Sequence, residues 1–177
     1  MVRMKDLLRV LETDRLILRR LTTDDAEFIL GHLNDPSFHR FIGDRGVRTV
    51  EEARQYLLDG PIASYQQHGY GIYMVEIEAS GEQIGTCGLV NRKGMEDVEI
   101  GFALLPQFWS QGYAIEAAQA VMVYAQEDLG IERIVAIANP GNERSFKLLE
   151  KLGLRFARMF RLPGSETVIK LFSPEGD

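Results

Sequence analysis

The sequence predicts an α/β protein in which one mixed, strongly twisted sheet of about seven strands carries roughly four helices on its faces. Three observations lead there. Apolar stretches of strand length alternate with stretches of helical period along most of the chain. Residues 102–142 read FALLPQFWSQGYAIEAAQAVMVYAQEDLGIERIVAIANPGN, a strand, a glycine turn, a long helix, a second strand and an Asn-Pro-Gly-Asn turn, which is a βαβ unit. Two hairpin patterns, at residues 70–90 and 154–172, supply antiparallel neighbours and make the sheet mixed. With 177 residues, the whole chain is expected to form one domain, its core spanning residues 11–172.

Residues 15–21 (RLILRRL) form the first strand, with Leu16 and Leu18 on one face and Arg15, Ile17 and Arg19 on the other. Thr22-Thr23-Asp24-Asp25 starts a helix, because short oxygen side chains accept the free N–H groups of a first turn. Ala26, Ile29, Leu30 and Leu33 form its apolar stripe, and Asn34-Asp35-Pro36 ends it. Residues 37–48 read as a loop or short helical turn overhanging a substrate site. Thr49 and Glu52 make a capping box for a second helix over residues 50–67, which Gly60-Pro61 should interrupt. Residues 70–78 and 83–90 pair as a hairpin, and residues 96–105 form the strand that enters the glycine turn. Gly130 closes the long helix. Residues 131–138 hold the apolar run IVAIA of a mid-sheet strand buried on both faces. Asn142 caps a short helix that Gly153 closes, residues 154–160 and 166–172 form a last hairpin, and residues 173–177 read as a frayed tail.

Composition narrows the partners. Twenty Lys and Arg against 26 Asp and Glu leave a net charge of -6, which argues against general affinity for nucleic acid or anionic membrane and mildly favours a cationic acceptor such as an amine. Arg3, Lys5, Asp6 and Arg9 break up the apolar residues a signal peptide needs, and the longest charge-free run, residues 100–115, contains Pro106 and Gly112 and is too short to span a bilayer. Cys87 is the only cysteine, so no intrachain disulfide or thiolate cluster is available, and a cytoplasmic setting is expected. In a strand without a neighbouring base, Cys87 reads as a packing residue. His32, His39 and His68 lack metal spacing and read as surface or loop residues, with His39 the one to watch beside a substrate. Phe41, Tyr70 and Tyr73 are candidates for either the core or an acceptor pocket.

The glycine turn Trp109-Ser110-Gln111-Gly112-Tyr113-Ala114 is the first chemical candidate. Gly112 lets the backbone approach a bulky anion, Ala114 is small where the helix must pack, and the N–H groups of Gln111 to Ala114 point where phosphate oxygens can sit. A plain strand-to-helix turn would have the same sequence. On the strand before it, Glu99 shares a face with Gly101 and Ala103, which leaves space beside the carboxylate for a backbone or a ligand, or exposes it to solvent. Asn139 and Asn142 are good turn and capping residues. Ser145 lies on the inward stripe Ser145, Leu148, Leu149, Leu152, where a hydroxyl needs either a backbone partner or a task.

Taken in order, strand, xxGxA turn, helix, strand, Asn-x-x-Asn-x-x-Ser, helix and Glu-Lys-x-Gly, these residues resemble the GNAT superfamily of N-acetyltransferases, especially the ribosomal-protein N-terminal acetyltransferase branch. Leu11-Glu12-Thr13-Asp14-Arg15-Leu16-Ile17-Leu18-Arg19 is similar to that branch's opening strand. The resemblance covers residues 11–172 and implies the acyl-CoA N-acyltransferase fold with acetyl-CoA as cosubstrate and no metal. It implies that Gln111, Gly112, Tyr113 and Ala114 hold the pyrophosphate, that the Phe102 and Leu104 backbone meets the pantetheine, and that Asn139 and Asn142 line the same arm. Trp109 stands where the wider family has Arg or Gln, which removes a side chain and keeps the backbone donors. Leu149 stands where many members carry a Tyr acid. Ser145, one helical turn earlier, is then the acid for the departing thiolate, as the ribosomal branch implies, and Glu99 the base that takes the amine proton through water, with N–H groups of the splayed strand stabilising the oxyanion. The acceptor is a primary amine, either a protein N-terminus or a small molecule, attacked directly in a ternary complex. Self-association through an apolar helix or sheet edge, as a homodimer, is compatible with the chain. A coenzyme A-binding sensor or interaction module without turnover is the alternative, resting on Leu149 alone. A Rossmann-type enzyme fits less well, because the turn holds one glycine and no acidic residue closes its second strand.

Overall fold

In the computed structural model the described residues are 4–176, so Arg3 and Asp177, which two of the sequence expectations touch, lie outside them. After a short helix α1 (Met4–Leu7), strands β1 (Arg9–Glu12), β2 (Leu16–Arg20), β3 (Ile72–Ile77), β4 (Gln83–Val90), β5 (Val98–Leu104), β6 (Ile134–Ala138), β7 (Arg155–Arg161) and β8 (Val168–Ser173) form one sheet in the order β1-β2-β3-β4-β5-β6-β8-β7. That is eight strands against an expected seven. The addition is β1, which the Thr13-Asp14 turn folds back antiparallel onto β2. All pairs are antiparallel except β5 with β6.

The parallel pair positions the site. It touches only at Val98–Ile134 and Glu99–Val135, while β5 stays paired with β4 from Glu99 to Leu104. Beyond Glu99 the two central strands therefore splay, and β5 presents one edge of backbone to a gap.

Each face of the sheet is covered. On one face α6 (Tyr113–Glu127) lays Ala117, Ala118, Val121 and Ala125, all fully buried, over Leu16, Leu18, Val75, Cys87 and Ile100. Small residues at this helical spacing let the helix axis come close to the strands. On the other face α2 (Ala26–Leu33), α3 (Pro36–Phe41) and α4 (Val50–Leu57) bury Ile29, Leu33, Phe38 and Leu57 around Met74. Each large aliphatic side chain removed from water there contributes about 1.5–3 kcal/mol. α7 (Glu143–Lys151) follows β6 and anchors Leu149 in the first core.

Local chemistry sets the helix ends. Thr22 and Asp25 form a capping box on a 3-10 turn (Thr23–Asp25) leading into α2, and Thr49 and Glu52 form another at the start of α4. Gly60-Pro61 does not interrupt the second helix. A single wide π turn, Leu58–Ile62, absorbs the missing proline N–H, and the chain continues as α5 (Ala63–His68). The expected tail is also tied down through residue 176: Ser173 is buried, its hydroxyl accepts from the Gly176 N–H at 3.0 Å, and Glu175 pairs with Arg133.

Candidate active site

The turn between β5 and α6 is built from two left-handed residues. Ser110 (φ 59°) is the only non-glycine with positive φ among the described residues, and Gly112 (φ 82°) opens α6 with no side-chain cap. An uncapped helix start leaves its first N–H groups for another acceptor, and the helix dipole makes that position favourable for an anion. Gly112 answers the steric demand of its φ; a Cβ there would also sit 3.2 Å from Arg15 Nη2.

Arg15 straps this turn to the sheet. Its Nη1 donates to the Gln111 carbonyl at 3.0 Å, its Nε to Glu116 at 2.7 Å, and its guanidinium lies 4.4 Å over the Tyr113 ring. Thr13 also donates to Glu116. Burial would raise the Glu116 carboxyl, but the bonds from Thr13 and Arg15 outweigh it and hold the group below its ordinary range. On the other side Arg144 stacks 4.2 Å over Trp109, whose indole N–H donates to the Leu104 carbonyl at 2.8 Å. Two fixed guanidinium groups thus flank a helix N-terminus.

A cavity of about 640 Å³ runs from this turn along β5 to α7, lined by Phe102, Leu104, Gly112, Tyr113, Ala114, Asn142 and Ser145. The Leu104 carbonyl faces the gap, since it takes the Trp109 N–H while the Leu105 N–H pairs back to Ile84. By strand alternation the Phe102 N–H and C=O face the gap as well. Open strand edge, apolar walls and anion-ready turn suit a long flexible arm ending in phosphates. Gln111 does not line the cavity: its carbonyl is held by Arg15 and its side chain donates to the Gln107 carbonyl at 2.9 Å, so only its N–H remains for a ligand.

A second cavity of about 930 Å³ opens on the opposite side of β5, lined by Glu99, Gly101, Asn139 and Arg92 among others. The two share Phe102, Ala103, His32, Phe38 and Phe41, so α2 and α3 roof the point where they meet. Of residues 37–48, expected to overhang a substrate site, Phe38, Phe41 and Ile42 line both cavities.

Glu99 is not a solvated strand residue. It is 4% exposed and accepts two bonds from Arg92, at 2.8 Å from Nε and 3.2 Å from Nη2. The Glu99 bond, against burial, keeps the Arg92 guanidinium charged. Ser145 is half-buried in the first cavity; its backbone N–H donates to Asn142 Oδ1 at 3.3 Å, and its hydroxyl has no partner among the described residues. Asn142 is thereby a helix cap, and Asn139 accepts from the Gly141 N–H at 3.1 Å, so both side-chain carbonyls are committed to the turn. Leu149 is 1% exposed and points into the core.

The structure places the remaining candidates as follows, and His32, expected at the surface or in a loop, is a correction. His32 is buried, stacked between Phe28 and Phe38, with Nε2 3.2 Å from Thr86 Oγ1, and burial pushes it down to about 4. Its place on the apolar stripe with Ile29 and Leu33 was the signal. His39 lines neither cavity. Tyr73 is fully buried, whereas Phe41 lines both cavities. Cys87 is fully buried and its thiol pushed up to about 12, as packing alone requires.

The family model described as an acetyltransferase (GNAT) domain matches residues 15–155. The chain is 33% identical over 147 residues to YoaA of Bacillus subtilis (strain 168), an uncharacterized N-acetyltransferase, covering 82% of each chain. It is 30% identical over 158 residues to the uncharacterized N-acetyltransferase p20 of Bacillus licheniformis, covering 87% of this chain and 86% of that one. Among solved structures, a GNAT-family acetyltransferase from Bacillus anthracis superposes with a TM-score of 0.74 at 24% identity, covering 92% of this chain and 95% of that one. RimL, a ribosomal L7/L12 α-N-protein acetyltransferase in complex with coenzyme A, gives 0.79 at 18% identity over 93% and 96%.

Proposed function

Because the chain belongs to the GNAT acetyltransferase family, we propose that the gap between β5 and β6 is where it moves an acetyl group from acetyl-CoA to a primary amine, directly and in a ternary complex. The observation that carries this reading is the meeting of two cavities at Phe102 and Ala103, one ending on the uncapped start of α6, the other holding the Glu99 carboxylate. The cosubstrate supplies an activated acetyl group and a thiolate leaving group; the chain has to hold both reactants and manage two protons.

The N–H groups at the start of α6, with Arg15 and Arg144 beside them, suit the diphosphate. The gap-facing edge of Phe102 and Leu104 suits the pantetheine amides, with the Leu104 carbonyl already used by Trp109. The Phe102 N–H also suits the acetyl oxygen as it gains charge. Ser145 donates its hydroxyl proton to the departing sulfur. Its free hydroxyl in the first cavity supports that role, and the burial of Leu149 leaves Ser145 the better placed group on α7. Glu99 relays the proton of the acceptor's ammonium, held at the sheet gap, to solvent through a chain of water in the second cavity. Arg92 fixes that carboxylate in place with two hydrogen bonds, so it can orient the water that carries the proton away.

The acceptor is a protein N-terminus, as in the ribosomal-protein acetyltransferases, or a small amine. With saturating acetyl-CoA, Ser145→Ala and Glu99→Gln should each lower turnover by about 10²-fold, with little change in cofactor affinity. Full activity in the serine variant would remove the acid, and in the glutamine variant the proton relay.

A further inference from the structure

The second cavity carries charge in a pattern that speaks to the acceptor. Its lining holds three basic side chains, Arg45, Arg92 and Lys93, and three acidic ones, Asp44, Asp59 and Glu99, in a protein whose net charge is -6. A site for a polyamine would be expected to show an excess of carboxylates; this one is balanced. Nor are the two signs equally available. Asp44 is paired with Arg48 and Glu99 with Arg92, which leaves two cations without an ion pair among the described residues, Arg45 and Lys93, against one such carboxylate, Asp59, bonded only by the neutral Gln55 amide at 2.9 Å. Arg92 spends Nε and Nη2 on Glu99, which leaves Nη1 unused. Tyr56 lines the same cavity as Arg45 and Arg92. Donors from α4, the loop before it and the segment after β4 thus line one cavity, a set of groups suited to a carboxylate.

We propose that the acceptor is an amine that also carries a carboxylate, gripped by the free edge of Arg92 with Arg45 and the Tyr56 hydroxyl while the amine reaches the sheet gap. The proposal rests on the amine-acetylation reading above. Strand geometry limits the distance between the two groups. Glu99, with Arg92 on it, lies three residues before Phe102 on β5, a rise of roughly 10 Å. An amino acid with its carboxylate on the carbon beside the amine is too short to span that. A longer ω-amino acid, or a peptide N-terminus followed by an acidic residue, is long enough.

The test uses binding, so that it does not depend on turnover. Calorimetry with the coenzyme A-loaded protein compares two pairs of acetylated products: 6-acetamidohexanoate with its amide, and acetyl-Ser-Glu-amide with acetyl-Ser-Gln-amide. The charged member of one pair should bind at least about tenfold more tightly, the successful pair identifying a small-molecule or a peptide acceptor, and Arg45→Ala should reduce that preference several-fold without altering coenzyme A binding. Equal affinity within both pairs, including no measurable binding of any member, overturns the proposal, as does tighter binding of an acetylated diamine. Thiol release from acetyl-CoA, measured alongside, separates the two readings: release that ignores the carboxylate sinks the proposal and keeps the acetyltransferase, while carboxylate-selective binding without release keeps only the carboxylate grip and overturns acetyl transfer, and with it the acceptor role.

Discussion

Single side chains divide the work by what their neighbours leave free. Ser145 has an unused hydroxyl because Asn142 takes only its backbone N–H, while Leu149, one turn later, is committed to the core. His32 shows the opposite case, an ionisable group held neutral. Burial pushes it down to about 4, against a pull upward from Asp35. In the unfolded chain it takes a proton near 6.5, so between these values the unfolded state binds more protons and stability falls as pH drops. The contribution is whole above about pH 6.5 and shrinks by on the order of 3 kcal/mol by pH 4. Urea titrations at pH 7 and pH 5 should therefore show a smaller acid loss in His32→Phe, whose ring fits between Phe28 and Phe38, than in the wild type; an equal loss in both would assign the effect elsewhere. The sequence shows His32 on an apolar stripe, yet a histidine at a helix surface has the same local pattern. Only the tertiary contact with Thr86 decides between them.

At the scale of elements, the β5–α6–β6 unit was legible because its signals are local: alternation along β5, a glycine where φ must be positive, the small residues of α6 and the continuous apolar run of β6. Gly112 carries the sharpest prediction. At φ 82° an alanine costs about 1–2 kcal/mol in backbone strain and meets Arg15, so Gly112→Ala should lower stability modestly and weaken coenzyme A binding. Gly112→Glu adds a negative charge at the helix start and should abolish binding in calorimetry while circular dichroism stays native; unchanged affinity in the folded glutamate variant would move the diphosphate elsewhere. What the sequence hid are contacts between distant segments. Arg15 reaches Gln111 and Glu116 across the sheet, β1 exists only because β2 pairs with it, and Arg92 meets Glu99 across the turn between two strands. None of these leaves a periodic trace. The π turn at Gly60-Pro61 was missed for another reason: proline signals a disturbed helix, and whether the disturbance is a break or a wide turn depends on what packs against it.

Over the whole molecule, two cores lie on opposite faces of one sheet, and two cavities meet beside the gap left by two strands that pair at only two positions. The side of the sheet under α2 is pinned by Arg19, which bonds Asp25 at 2.9 and 2.8 Å and Glu76 at 2.8 Å with all three side chains buried. Removing the cation leaves two uncompensated carboxylates. Arg19→Met should cost about 3–5 kcal/mol in urea unfolding, far from any reacting group, and a change under about 1 kcal/mol would show the cluster to be dispensable. Filling the gap should tie the two halves together, so coenzyme A at a hundredfold excess over its Kd should add about 2.7 kcal/mol of stability. The most direct test of the account is thiol release from acetyl-CoA by the purified protein, with and without a panel of amines and short peptides. Release that depends on an acceptor and is lost in Gly112→Glu is the predicted result. Binding of the cofactor with no acceptor-dependent release across a broad panel, or no binding at all, would contradict it.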